Sequence, residues 1–251
     1  MNDVARPPIA GTADLEKLAR PHSRGCLNRF RALQLYLKAD LHRYQRNGRF
    51  HFWRHFLFTP GYKYTVWMRL CGYLKTRPIA RYALYPLAKL ILLRCRYKYG
   101  IAIPEYTEIG PGLFINRFGG IYVNGHVVIG HDVTLSAMTM LGQTNRGKRA
   151  GTPIVGDRVF MGFGSKAIGN VVIGEDSALG VSALVTRDVA PGSVMAGIPA
   201  KPRSDAGTDG YVNRPVPPDL LEACYRANGR ARRLAEDQTP RRRPTRNEAS
   251  Q

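Results

Sequence analysis

Between Ile109 and Thr186 an aliphatic residue, often followed by glycine or another small residue, returns every six positions. The register runs Ile109-Gly110, Ile115 and Ile121, slips by two residues to Val123, and continues through Ile129-Gly130, Leu135-Ser136 and Leu141-Gly142. After an interruption it resumes as Val155-Gly156, Met161-Gly162, Ala167, Ile173-Gly174, Leu179-Gly180 and Val185-Thr186. A period of six fits neither the turn of an α-helix nor the two-residue alternation of a strand. It fits a short strand plus a tight turn, with three such sides closing one coil of a solenoid. The aliphatic side chain then points inward over its equivalent one coil below, and the small residue sits where the backbone bends. Each coil buries its core only against its neighbours, so both ends of the array require caps. The interruption at 142–153, GQTNRGKRAGTP, carries turn-forming and basic residues and is expected to leave the coil as a loop.

The repeat divides the chain into four parts: a flexible N-terminus at 1–26, a basic α-helical region at 27–100, the coil at 101–203, and an Arg/Pro-rich, largely disordered tail at 204–251 with a short helix around 219–236. With 44% hydrophobic and 22% charged residues over 251 positions, disordered and collagen-like classes are excluded. Residues 1–100 hold 20 Lys/Arg against 4 Asp/Glu, whereas 101–203 and 204–251 each hold 9 against 7, so the basic character belongs to the helical region. Its apolar residues recur at helical spacing between cations, which suits helices packed on a core with a solvated basic rim. Contact with an anionic membrane surface is the weaker alternative. No nucleic-acid motif accompanies the charge, and nucleic acid is not an expected partner. The most apolar run, Tyr82 to Leu93, is 12 residues long and interrupted by Pro86 and Lys89, too short for a membrane span. Cys26, Cys71, Cys95 and Cys224 show no metal-ligand spacing, and the N-terminus lacks the apolar stretch of a signal peptide. A cytoplasmic location follows as an expectation, at the inner face of the membrane if the basic helices touch it, with no metal.

The repeat, with the stretch from Gly151 to Lys201 (GTPIVGDRVFMGFGSKAIGNVVIGEDSALGVSALVTRDVAPGSVMAGIPAK), resembles the hexapeptide-repeat acyltransferases, close to their serine acetyltransferase branch. The preceding LKADLHRY, FWRHFLFTPGYKYTVWMRL and RYKYGIAIP are similar to serine-acetyltransferase-like proteins of bacterial surface-polysaccharide synthesis. The resemblance implies a left-handed parallel β-helix preceded by helices and acetyl-CoA as acyl donor. It also implies a homotrimer, with pairing of trimers left open, and active sites in the clefts between adjacent β-helices. The acceptor is a small molecule or glycan hydroxyl, which attacks the thioester while a general base takes its proton.

In the family that base is a histidine, and its position falls on Arg117, with the residue before it on Asn116; a second histidine before a proline falls on Thr152. Arginine stays protonated and cannot serve as base. Three readings stay open: Arg117 binds an anionic acceptor or the oxyanion while another residue acts as base, the chain is a catalytically silent scaffold or regulatory homologue, or the family's positions fall on other residues of this chain. His126 and His131 are expected as solvent-facing turn residues, and His22, His42, His51 and His55 as surface or core helix residues. For donor binding the resemblance implies Phe163, Gly164, Lys166, Val181, Ser182 and Lys201, and the loop residues Gln143, Thr144, Asn145 and Arg146 overhang the cleft. The absence of the family histidines and the basic helices favour a saccharide or sugar-lipid acceptor in polysaccharide biosynthesis; L-serine is the alternative.

Overall fold

The computed structural model describes residues 25–45 and 52–229. Helices α1 (Phe30–His42), α2 (Phe52–Phe58), α3 (Pro60–Lys75) and α4 (Ala80–Tyr99) precede fifteen short strands, and α5 (Pro218–Ala227) follows them. Pro60 opens α3, where its missing N–H costs nothing. Gly100 ends α4 at φ 61°, and a Cβ there would stand 3.1 Å from the Gly120 nitrogen, so glycine turns the chain into the first coil.

The strands form the three faces of a left-handed parallel β-helix. The first face stacks β1 (Ile101–Ala102), β4 (Ile121–Val123), β7 (Met140–Gly142), β10 (Lys166–Ile168) and β13 (Leu184–Val185). The second stacks β2 (Glu108–Ile109), β5 (Val128–Ile129), β8 (Ile154–Val155) and β11 (Val172–Ile173). The third stacks β3 (Phe114–Ile115), β6 (Thr134–Leu135), β9 (Phe160–Met161), β12 (Ala178–Leu179) and β14 (Val194–Ala196), closed by the antiparallel β15 (Lys201–Ser204). Every repeat position points inward: Ile121, Leu135, Met161, Ala167, Ile173 and Leu179 are fully buried, and even Val123 exposes only 5%. A second inner row, Val127, Val133, Val159, Val171 and Ala183, lies two residues before its partners in the repeat. The two-residue slip also has a structural cause. Tyr122 pairs with Met140, so the corner between Ile115 and β4 holds two residues more than the corner between Leu135 and β7. That widened corner carries Arg117.

The first coil has no neighbour below it, and its outward backbone groups would be orphaned. The helices supply partners on every side. The Tyr64 hydroxyl donates to the Ile103 carbonyl at 2.8 Å and accepts from the Ile103 N–H at 3.0 Å. The Tyr44 hydroxyl accepts from the Ile115 N–H at 2.9 Å. Between them, Arg69 donates to the carbonyls of Ile109 and Gly110 at 2.7 and 2.6 Å, and Asp40 accepts from the N–H groups of Gly112 and Leu113, both at 2.9 Å. Arg69 and Asp40 are themselves paired at 3.0 Å and almost wholly buried.

The segment after 203 corrects the expectation of a tail that is largely disordered from there on. Val216, Leu221 and Cys224 are buried with Leu27, Leu33 and Tyr36, so α5 packs on α1 because its apolar residues complete the flank of the cap. Expectations for 1–24, 46–51 and 230–251, including His22 and His51, lie outside the described residues. No described helix is long and apolar enough to cross a membrane. Because removing one member of a buried ion pair strands the other, Asp40→Ala should lower stability by about 3–5 kcal/mol in urea denaturation. A loss below about 1 kcal/mol would show that the pair does not hold the cap in place.

Candidate active site

The expected donor residues gather along one edge of the prism, where the third face turns into the first. Phe163-Gly164 and Val181-Ser182 occupy the same corner of consecutive coils, and the Ser182 N–H donates to the Phe163 carbonyl at 2.8 Å. Gly164 and Ser182 both lie at positive φ, 71° and 55°. Side chains at this edge face solvent: Phe118, Met138, Phe163, Val181 and Ile198 form an exposed apolar row, Val181 at 70%. Lys166 begins the strand beyond the corner, in register with Met140 and Leu184, and its Nζ donates to the Gly164 carbonyl at 3.0 Å. Lys201 is exposed on β15, beside the last coil.

Asn116 and Arg117 are exposed at the foot of this same edge. Thr152 lies at the opposite end of the first face, where its hydroxyl donates to the His126 carbonyl at 3.1 Å. A three-residue strand at ~3.3 Å per residue separates the two corners by about 10 Å. One chain therefore does not bring Arg117 and Thr152 together.

The loop begins as a hairpin, with Thr144 and Gly151 exchanging both backbone hydrogen bonds at 3.0 and 2.8 Å. It folds over the outer side of the first face and closes a groove of about 390 Å³. Arg96, Tyr122, Asn124, Met140, Gln143 and Asn145 line it. The amides are chained: Asn124 Nδ2 donates to Gln143 Oε1 at 3.2 Å, and Gln143 Nε2 donates to Asn145 Oδ1 at 2.6 Å. Arg96 makes no hydrogen bond or ion pair with another described residue. A guanidinium lining the same groove as pre-ordered amides suits a small polar molecule bearing a carboxylate. Of this set the sequence singled out only Gln143 and Asn145, with Thr144 and Arg146 on the same loop. Tyr122, Asn124 and Met140 carry no signal beyond outward alternation on a strand. Arg96 carries one, its place in the last helical turn before Gly100, where a cation faces the first coils.

His131 is not the solvent-facing residue that the sequence suggested. It is 3% exposed, because α1 and the segment before α5 cover its corner. Its Nδ1 lies 3.0 Å from Asp132 Oδ2, and its Nε2 lies 3.1 Å from Asp157 Oδ2, an ion-pair distance rather than an aligned hydrogen bond. Asp132 in turn accepts from Arg43 at 3.2 Å and from the Val216 N–H at 3.0 Å. Burial pulls the His131 pKa down, but the Asp132 hydrogen bond and the charges of Asp132 and Asp157 outweigh it and hold the pKa above the ordinary histidine value. Burial likewise raises Asp157, and His131 with Arg158 brings it below the usual carboxylate range. A sequestered imidazolium is a structural cation, not a base. Its contribution to stability is complete below about pH 6.5, the unfolded value, and fades as pH rises through the raised folded value. Asp157 works in the other direction, its contribution being lost only as pH falls through its depressed value. The stability difference between the parent and His131→Gln should therefore be largest near about pH 6 and shrink toward about pH 9. A difference that stays flat or grows over that range in denaturant titrations would refute the buried cation.

Among the described residues no group of His, Cys, Asp and Glu could hold a metal ion. No family model matches the chain. A serine acetyltransferase of Helicobacter pylori strain J99 is 33% identical over 149 residues, covering 59% of this chain and 84% of the relative. Among solved structures, soybean serine acetyltransferase complexed with serine superposes with a TM-score of 0.56 at 26% identity, covering 68% of this chain and 70% of that one. Brucella abortus serine acetyltransferase in complex with coenzyme A gives 0.57 at 23% over 70% and 68%, a likeness of fold. These relatives are named for serine, which overturns the expectation of a saccharide acceptor in polysaccharide biosynthesis and leaves no support for that branch. With a curated relative matched at this identity over most of its length, and with the β-helix, its loop and its corner ladder in place, the chain belongs to the serine acetyltransferase family of hexapeptide-repeat acyltransferases.

Proposed function

We propose that the protein transfers the acetyl group of acetyl-CoA to the hydroxyl of L-serine, as a homotrimer, in the cytoplasm. The groove at the base of the loop carries this reading. Its guanidinium and chained amides match the carboxylate and ammonium of an amino acid, and its size suits a small acceptor. The exposed apolar row along the edge, and the separation of Arg117 from Thr152 within one chain, support clefts formed between protomers.

Donor and acceptor have separate places in this arrangement. Phe163, Gly164, Val181 and Ser182 offer a stack of turns along which an extended thioester lies, and Lys166 and Lys201 meet its phosphates. Arg96 anchors the serine carboxylate; Gln143, Thr144, Asn145 and Arg146 enclose it from the loop. The serine oxygen attacks the thioester carbonyl, its proton passes to a base, the C–S bond breaks, and the departing thiolate takes the proton back. His126 is the base in this reading. It is exposed, its backbone N–H donates to Asn124 Oδ1 at 2.9 Å on the wall of the groove, and the hydroxyl of Thr152, the place of the family's second histidine, donates to its carbonyl. Arg117 and Asn116, at the edge of the neighbouring protomer, steady the developing oxyanion. A second reading rests on the same two departures, Arg117 and Thr152: a homologue that binds acetyl-CoA without turning it over.

Thiol release on mixing protein, acetyl-CoA and L-serine tests this directly. His126→Ala should lower kcat by roughly 10²–10⁴, with a small change in KM. Changing Lys166 and Lys201 to Ala should instead weaken acetyl-CoA binding several-fold in calorimetry. Full activity in His126→Ala would place the base elsewhere, and acetyl-CoA binding without release would favour the silent homologue.

A further inference from the structure

Helix α4 turns Tyr85, Ala88, Leu92, Cys95 and Tyr99 toward the protein, a stripe at three- and four-residue spacing. Its opposite side is equally apolar and is covered by no described residue. Leu87 is 59% exposed, Leu90 64% and Tyr97 82%, and Ile79 is exposed just before the helix. Arg94 and Lys98 lie on this side, within one helical turn of Leu90 and Tyr97. The helix contains no carboxylate. Indeed Asp40 is the sole carboxylate between Asn28 and Pro104, and it is buried against Arg69, while the neighbouring Glu105 is buried against Lys89. The outer side of α4 is thus an apolar stripe flanked by cations with no anion to answer them.

We infer that this side of α4 is a docking surface for an anionic phospholipid bilayer. The helix would lie in the plane of the interface: Leu87 and Leu90 enter the acyl boundary, Tyr97 sits at headgroup level, and Arg94 and Lys98 meet lipid phosphates. Five cations in twenty residues exclude a spanning orientation. Charge also decides against a two-fold contact with a second copy of the chain through this face. A two-fold contact sets each patch against itself, so Arg94 and Lys98 would oppose their own equivalents with no carboxylate on either side. The inference stands apart from the choice of acceptor, since no residue on this side of α4 is assigned to the groove or the donor edge.

The test is sedimentation of the full chain with vesicles of phosphatidylcholine alone or with about a third phosphatidylglycerol. The protein should pellet with the anionic vesicles and not the neutral ones, and added salt should weaken binding. L87E/L90E should reduce binding roughly tenfold, and R94Q/K98Q several-fold. Both sets of side chains are exposed, so unchanged thermal unfolding and thiol release by these variants will separate lost docking from lost folding or activity. Equal pelleting with both vesicles, pelleting with neither, or undiminished pelleting of L87E/L90E would overturn the inference. So would a concentration-dependent association of the free protein that L87E/L90E abolishes, because the face would then belong to a second copy.

Discussion

Closing the open end of the first coil is the constraint on which the rest of the molecule depends. Each later coil satisfies its backbone on the coil before it; the first has only side chains to turn to. Tyr64, Arg69, Asp40 and Tyr44 bond backbone groups at Ile103, Ile109–Gly110, Gly112–Leu113 and Ile115, around the whole circumference of that coil. This ties the helical region to the β-helix by polar contacts with fixed direction as well as by apolar burial. The energetic logic is that of unsatisfied groups: losing one member of the set exposes a buried donor or acceptor and costs more than the bond contributed. The cap also fixes the end of α4, and with it the place of Arg96 at the mouth of the groove.

A second polar network braces the corner above the cap. Arg43, Asp132, His131 and Asp157 run from α1 into the second and third coils, and Arg158 continues outward to Asp176, which its guanidinium meets with two nitrogens at 2.7 Å. Asp132, Arg158 and Asp176 all adopt positive φ, 55–56°, at equivalent turns, where glycine is the easy choice. Paired charges there offset the conformational cost, which makes this corner rigid and leaves the opposite edge, with its apolar row, as the face available to partners. Structure and chemistry are thus divided between corners: charge holds one, exposed apolar side chains mark another, and the loop and groove occupy the region of the third.

The hexad made the architecture legible because a β-helix is nearly one-dimensional: an inward position every six residues means the same thing wherever it occurs. Phe163-Gly164 and Val181-Ser182 share one corner for the same reason, since they fall at matching phases of the repeat. Other residues were not. His131 shares its phase with Asp157 and Glu175, both less buried, and only the covering helix and the segment near Val216 make it a buried cation. Asp40 gave a hint as an isolated acid in a basic stretch, but nothing local shows that its partners are backbone groups some seventy residues away. Loss of the family histidines points to a saccharide acceptor only if it reports on substrate, whereas the relatives carry serine in their names.

Taken alone, the order of residues determined the solenoid, its interruption at the loop, the helical lead-in and the uneven charge, because each depends on spacing and composition within a local window. Tertiary structure alone decided which polar side chains are functional candidates and which are structural. Arg96 shares a groove with Asn124 and Gln143 only because a helix ends where a coil begins, and His126 meets Thr152 only because one coil lies on the next. Those encounters depend on distance in space, and a repeat whose units look alike holds no record of which flanking element will cover which corner.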